Sequence, residues 1–169
     1  MRDLRSDDAL HGAGLQALPL DFGAPVMRQF LAALPPFDLV LHFAANKHVR
    51  AEKDRFSLLQ MLDTNLLKVR RLLGWLREGG LAGRFFCVST DKAANPTNLM
   101  GASKRLMELL VCSSGAVPGS TVTSARFANV AFSNGSLPCG FLRRLANGQP
   151  IAAPRDAQRY FVTPIEAGQ

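Results

Sequence analysis

The stretch Arg84 to Ser113, RFFCVSTDKAANPTNLMGASKRLMELLVCS, decides the fold. Its first seven residues, Arg84–Thr90, form a short apolar run of the kind a buried strand shows. A polar, turn-rich segment follows, and then Leu106, Leu109 and Leu110 share one face of a helix from about Met100 to Ser113. A strand that feeds a helix through a polar turn is one unit of an α/β sheet. The flanking sequence repeats the pattern. FDLVLHFAA (Phe37–Ala45) reads as a buried strand, and a long helix runs from about Ser57 to Glu78, stopped by Gly79-Gly80. TVTSARF (Thr121–Phe127) is a third strand, rich in β-branched residues, and a helix near Pro138–Ala146 follows it. Upstream, LQALPLDF (Leu15–Phe22) reads as a further strand ending in a turn. Pro25 opens a short helix that Pro35-Pro36 stops. The expected class is α/β, a doubly wound parallel sheet with helices on both faces.

In such sheets ligands sit beyond the carboxyl ends of the strands. That rule selects Ala44–Val49, Ser89–Asn98 and Asn129–Ser136, all rich in small and polar residues.

Composition bounds the function classes. The 169 residues are 47% hydrophobic and 20% charged, a globular balance for one domain. The formal charge is +7, but Arg70-Arg71, Lys104-Arg105 and Arg143-Arg144 are scattered pairs, with no basic block and no aromatic interleaving. A nucleic-acid partner is therefore not expected. No window offers the roughly 18 apolar residues of a membrane span. The N-terminus MRDLRSDDALHG lacks a signal-peptide core, so a cytoplasmic location is expected. Cys87, Cys112 and Cys139 match no zinc or redox spacing and read as free thiols.

Thr90, Asp91 and Lys92 follow the central strand directly. Asp91 can serve as an acid if its pKa is raised, and Lys92 as a base if its pKa is lowered. On the residues alone the alternative stays open: Asp91 or Asn98 caps the next helix and Lys92 is a solvated charge. Lys104 lies one helical turn after Met100, so the two share a face. His48 follows Asn46-Lys47 at another strand end, without a partner at metal-ligand spacing, and no metal is expected. No G-x-G-x-x-G occurs in the chain.

FDLVLHFAANKHV, TNLL, STDKAANPTNLMGASKR, ARFANV, NGSLP and RYFVTPIEA together resemble the extended short-chain dehydrogenase/reductases. The resemblance is to the capsule-type polysaccharide biosynthesis branch (CapD-like), the nucleotide-sugar 4,6-dehydratases acting on UDP-N-acetylglucosamine. It runs in order from about Asp21 to Glu166.

The resemblance implies an NAD cofactor and a UDP-sugar substrate, with oxidation at C4, loss of water across C5 and C6, and reduction at C6. It gives Thr90 a hydrogen bond to the C4 hydroxyl, Asp91 the acid at C6, Lys92 the base at C5, and Lys104 two tasks, binding the nicotinamide ribose and helping to deprotonate O4. Asp21, Ala44, Ala45, Lys47 and Asn65 fall on the cofactor side. His48, Met100, Asn129 and Arg159 fall on the substrate side. Many relatives carry Tyr where this chain has Met100, but the capsule-type branch carries Met.

The resemblance also implies an incomplete NAD(P)-binding Rossmann-like domain over residues 1–169, because the glycine-rich first unit and most of the C-terminal lobe are not in the match. Weak NAD binding by the chain alone, or none, is the corresponding expectation. A binding or interaction module without turnover is the alternative, and a sugar epimerase or reductase a further one. Ala128 and Ala131-Phe132 depart from the family wording. The resemblance leaves the oligomeric state open, with the helices near 57–78 and 100–113, where relatives often pair, as the place a homo-oligomer would form.

Overall fold

The computed structural model describes residues 14–47, 52–113, 118–133, 135–153, 155, 156 and 158–168. Three parallel strands form its sheet: β1 (Phe37–His42), β2 (Leu81–Thr90) and β3 (Thr121–Phe127), in the order β1-β2-β3. Val40 pairs with Phe85, and Phe85 with Val122, so three apolar residues stand side by side on one face. The register of β1 slips between Phe37 and Leu39. Gly83 permits this, since a Cβ there would collide with the Asp38 carbonyl.

Helix α1 (Pro25–Ala32) opens on proline, as read from the sequence. Helices α2 (Arg55–Leu62) and α3 (Lys68–Trp75) form one rod, capped by Asp54, whose carboxylate accepts the Ser57 amide at 2.7 Å. A π-helical turn, Asp63–Leu67, joins them, a departure from plain helical periodicity. The rod closes through Leu76–Gly80, with Gly79 at φ 124°, a conformation that glycine adopts at little cost. Helix α4 (Leu99–Cys112) follows β2.

Leu31 of α1, Val69, Leu72 and Leu73 of α3, Leu76, and Met107 and Val111 of α4 bury against Phe85 and Cys87. The helices thus cover one face of the sheet. The α/β class and the parallel sheet agree with expectation. Helical cover on the second face does not extend over β1 among the described residues, where Leu39 and Leu41 are 50% and 53% exposed.

The strand expected at Leu15–Phe22 is absent: residues 14–21 have no regular structure, and Phe22-Gly23 make a turn. Pro19 removes a ladder donor there. The Phe22 ring instead packs on His42, 5.0 Å between centroids. Beyond β3, β4 (Asn129–Val130) and β5 (Phe161–Val162) pair in parallel as a separate small sheet. Helix α5 (Leu137–Ala146) has no buried residue, and α6 (Pro164–Gly168) ends the described chain.

Candidate active site

The site begins where β2 ends. Thr90 is the last strand residue and the cap of a single 3₁₀ turn, Asp91–Ala93, its Oγ1 accepting the Lys92 amide at 3.4 Å. The cap of α4 is a different residue: Asn98 Oδ1 accepts the Gly101 amide at 2.8 Å. The capping alternative is therefore realised by Asn98 and not by Asp91. Asn98 does the capping, and Asp91 keeps its carboxylate for the strand end. Gly101 lets the two segments meet, because a Cβ there would lie 2.7 Å from the Lys92 carbonyl oxygen.

Asp91 Oδ1 collects three donors. The Thr90 hydroxyl donates at 2.8 Å, the Lys92 amide at 2.9 Å and the Lys92 ammonium at 3.0 Å. Burial raises the Asp91 pKa, but the hydrogen bonds from Lys92 and Thr90 outweigh it, and the net shift is downward. Asp91 is thus held as a carboxylate, not with the raised pKa that an acid needs at rest. Lys92 Nζ also donates to Asn129 Oδ1 at 3.4 Å, and Asn129 Nδ2 donates to the Tyr160 carbonyl at 3.1 Å. The β4–β5 pair thereby carries Asn129 to the end of β2.

Lys104 is 5% exposed, and its ammonium donates to the Val88 carbonyl at 2.6 Å and contacts Met107 Sδ at 3.3 Å. Burial lowers its pKa below the ordinary lysine value. On the outer side of α4, the buried Glu108 carboxylate receives a two-pronged Arg126 fork at 2.8 and 2.7 Å. That fork is the main cause of a Glu108 pKa near 2.

A cavity of about 1090 Å³ opens over the strand ends. Ala45, Lys47, Thr90, Lys92, Met100, Lys104, Asn129 and Arg159 all line it, so eight of the expected site residues converge. A smaller hollow of about 440 Å³, lined by Arg105, Glu108 and Arg126 among others, lies on the far side of α4, away from these groups.

Other expected residues stand elsewhere. Ala44 and Asp91 flank the lining without joining it. Asp21 is committed to the protein: its carboxylate accepts the Gly23 amide at 2.8 Å and Lys68 Nζ at 2.6 Å. Asn65 is fully buried and supports the wall from behind. Its Oδ1 accepts the Asn46 amide at 2.9 Å, and its Nδ2 donates at 3.0 Å to both the Asn46 carbonyl and Ser103 Oγ. The π-helical turn after α2 carries it, a feature frequent at functional sites. His48 lies outside the described residues.

Sequence reading missed Ser103, Gly101 and Glu52. Ser103 was detectable as the residue three after Met100, on the same helix face. Glu52 had no local signal, because its contact with the Met100 amide spans 48 residues.

The sequence pattern of one family, described as "Polysaccharide biosynthesis protein", matches residues 26–169. The chain belongs to this polysaccharide biosynthesis family. Among curated relatives it is 33% identical over 132 residues to the capsular polysaccharide biosynthesis protein CapD of Staphylococcus aureus, covering 77% of this chain and 22% of CapD. It is 31% identical over 140 residues to a UDP-N-acetylglucosamine 4,6-dehydratase (inverting) of Campylobacter jejuni, covering 75% of this chain and 41% of that protein. The chain thus spans less than half the length of either relative. Among solved structures, the dTDP-glucose 4,6-dehydratase DesIV double mutant of Streptomyces venezuelae, with NAD and DAU bound, superposes with a TM-score of 0.74 at 20% identity. That match covers 92% of this chain and 53% of DesIV. The residues matched to the polysaccharide biosynthesis family include the long motif from Ser89 to Arg105. No described helix is long and apolar enough to cross a membrane, and no described group of three or more His, Cys, Asp or Glu residues is placed to hold a metal.

Proposed function

We propose that this chain carries the catalytic wall of a nucleotide-sugar 4,6-dehydratase acting on UDP-N-acetylglucosamine. The observation behind the reading is the 3.0 Å contact between Lys92 Nζ and Asp91 Oδ1, at the mouth of a cavity shared with Thr90, Lys104 and Asn129. Relatives bearing that activity support the substrate class.

Elimination of water across C5–C6 of a 4-keto sugar needs one base and one acid. The Asp91–Lys92 pair holds one proton between two heavy atoms. With the proton moved from Lys92 Nζ to Asp91 Oδ1, Lys92 is a neutral amine and Asp91 a carboxylic acid. Lys92 then takes the C5 proton while Asp91 protonates the C6 oxygen, which leaves as water. The pair returns to ammonium and carboxylate, the arrangement found here. Asp91 is a carboxylate at rest, so this proton shift has to be driven by bound substrate: Thr90 leaving Asp91 for the C4 oxygen removes one of the donors that lower the Asp91 pKa. Thr90, which donates to Asp91, turns its hydroxyl to the C4 oxygen when substrate enters. Asn129 orients Lys92, and Arg159 meets the diphosphate, for which a guanidinium is suited.

The cavity wall fits the nicotinamide end of NAD. Ala45 leaves room for close approach, Lys104 supplies a buried ammonium for the ribose, and Lys47 lies on the same side. NAD, when bound, supplies the oxidant for C4 and the reductant for C6. A UDP-sugar substrate agrees with the cytoplasmic placement expected from the sequence. Pairing of two copies through α2 and α4 is part of the same proposal, supported by Phe56, Leu59, Leu106 and Leu109, each more than half exposed.

Chemical-shift mapping of the chain with UDP-N-acetylglucosamine tests the reading. Shifts are expected at Lys92, Met100, Asn129 and Arg159. Shifts confined to other surfaces, or none at millimolar ligand, would sink it.

A further inference from the structure

Met100 is held at both ends of its peptide units. Its amide donates to Glu52 Oε1 at 2.8 Å, and its carbonyl accepts the Ser103 hydroxyl at 2.8 Å. Ser103 Oγ in turn receives Asn65 Nδ2, and Asn65 brackets both backbone groups of Asn46. A continuous path of hydrogen bonds therefore runs from Glu52 through Met100, Ser103 and Asn65 to the turn after β1.

The local cap of α4 does not explain Glu52. Asn98 already serves Gly101, one residue further into the helix. Met100 is 4% exposed, so an acceptor for its amide must come from the protein rather than from water. The chain supplies a carboxylate from 48 residues away, at the positive end of the helix, where a negative charge is favoured. Met100 and Lys104, one turn apart, both line the cavity on the face that this contact fixes.

We propose that Glu52 is a positioning residue: by holding the Met100 amide it fixes the first turn of α4 against the segment entering α2, steadies through Ser103 and Asn65 the segment after β1, and so sets where Met100 and Lys104 stand on the cavity wall. The inference relies on the proposed function only for what that wall binds.

Amide hydrogen exchange on the whole chain, without ligand, tests the coupling directly. Glu52→Ala is expected to speed exchange about tenfold in two places, Met100–Lys104 and Asn46–Lys47, the scale of a lost helix cap. Exchange in β3 should not change. Glu52→Gln keeps an acceptor oxygen and should stay within about threefold of the parent chain. Faster exchange in α4 alone would reduce Glu52 to a second cap and overturn the coupling, as would no change at all. Should Glu52→Ala fail to fold, Ser103→Ala cuts the same path on the carbonyl side and must loosen both segments, and loosening of only one overturns it. Titration with UDP-N-acetylglucosamine separates the two proposals. Weaker binding in Glu52→Ala, restored in Glu52→Gln, extends the role to the ligand. No binding by the parent chain defeats the functional reading, while the exchange result still decides Glu52.

Discussion

Asp91 and His42 show how neighbours decide what a titratable residue can do. Asp91 is held ionised by donors one residue away on either side, chiefly Lys92 and Thr90, against a burial effect of the opposite sign. Lys92→Met removes one of those donors and should raise the Asp91 pKa. Carboxyl carbon NMR across acidic pH reads this, and an unchanged titration would refute the pairing. His42 is 5% exposed, packed between Phe22 and Phe85, and its Nε2 has no partner. Burial chiefly, with a smaller contribution from Lys104, lowers its pKa from 6.5 to about 4. The sign follows from linkage: the unfolded chain binds the proton more readily, so stability is full above about pH 6.5 and falls as pH drops towards 4. The loss approaches about 3 kcal/mol, at 1.36 kcal/mol per pKa unit. Denaturant unfolding between these limits should show a steeper fall for the parent chain than for His42→Phe. Equal slopes would remove His42 as the cause.

At the scale of elements, the βα junction depends on Gly101. Alanine in a helix interior is worth about 1 kcal/mol over glycine. Here the added methyl meets the Lys92 carbonyl at 2.7 Å, and overpacking costs about 1–3 kcal/mol. The second effect should win. Gly101→Ala is expected to lose up to about 2 kcal/mol in urea unfolding and to displace the Asp91–Ala93 turn. A stabilised variant would show that α4 can retreat freely. Glu108 joins the opposite side of α4 to β3 through Arg126. Arg126 keeps 39% of its side-chain surface exposed, so water can take over its solvation when the carboxylate is removed. Glu108→Ala should therefore cost about 1–2 kcal/mol, below the penalty for a fully buried pair. The folded pKa of Glu108 is depressed from 4.5 to about 2. Its contribution is thus present above 4.5 and lost as pH falls towards 2. The elements themselves were largely legible in the sequence. The ends of β2, α4 and β3 fall within a few residues of their sequence-based limits, because each apolar run is bounded by turn residues. Leu15–Phe22 misled, because its apolar content serves packing of Phe22 on His42 and not strand pairing.

At the scale of the whole molecule, parallel sheets are normally covered on both faces, yet among the described residues the outer face of β1 is left uncovered. Leu39, Leu41 and Phe43 are each at least half exposed on β1 and just beyond it. Replacing Leu39 and Leu41 together by Thr should reduce light scattering at high concentration and leave the melting temperature nearly unchanged, because these side chains contribute little packing here. A large drop in melting temperature would show that they are buried in solution.

By itself the sequence determined the α/β class, the strand-end position of Thr90, Asp91 and Lys92, and membership in the polysaccharide biosynthesis family. These rest on local patterns: periodicity, turn chemistry and a long motif within one βα unit. Only the tertiary structure decided that Asp91 is an ionised partner of Lys92, that Asp21 and Asn65 brace the fold instead of lining the cavity, and that Glu52 reaches α4. Each of those outcomes is set by groups brought together through folding, and burial and hydrogen-bond partners drawn from distant segments leave no periodic trace in the chain.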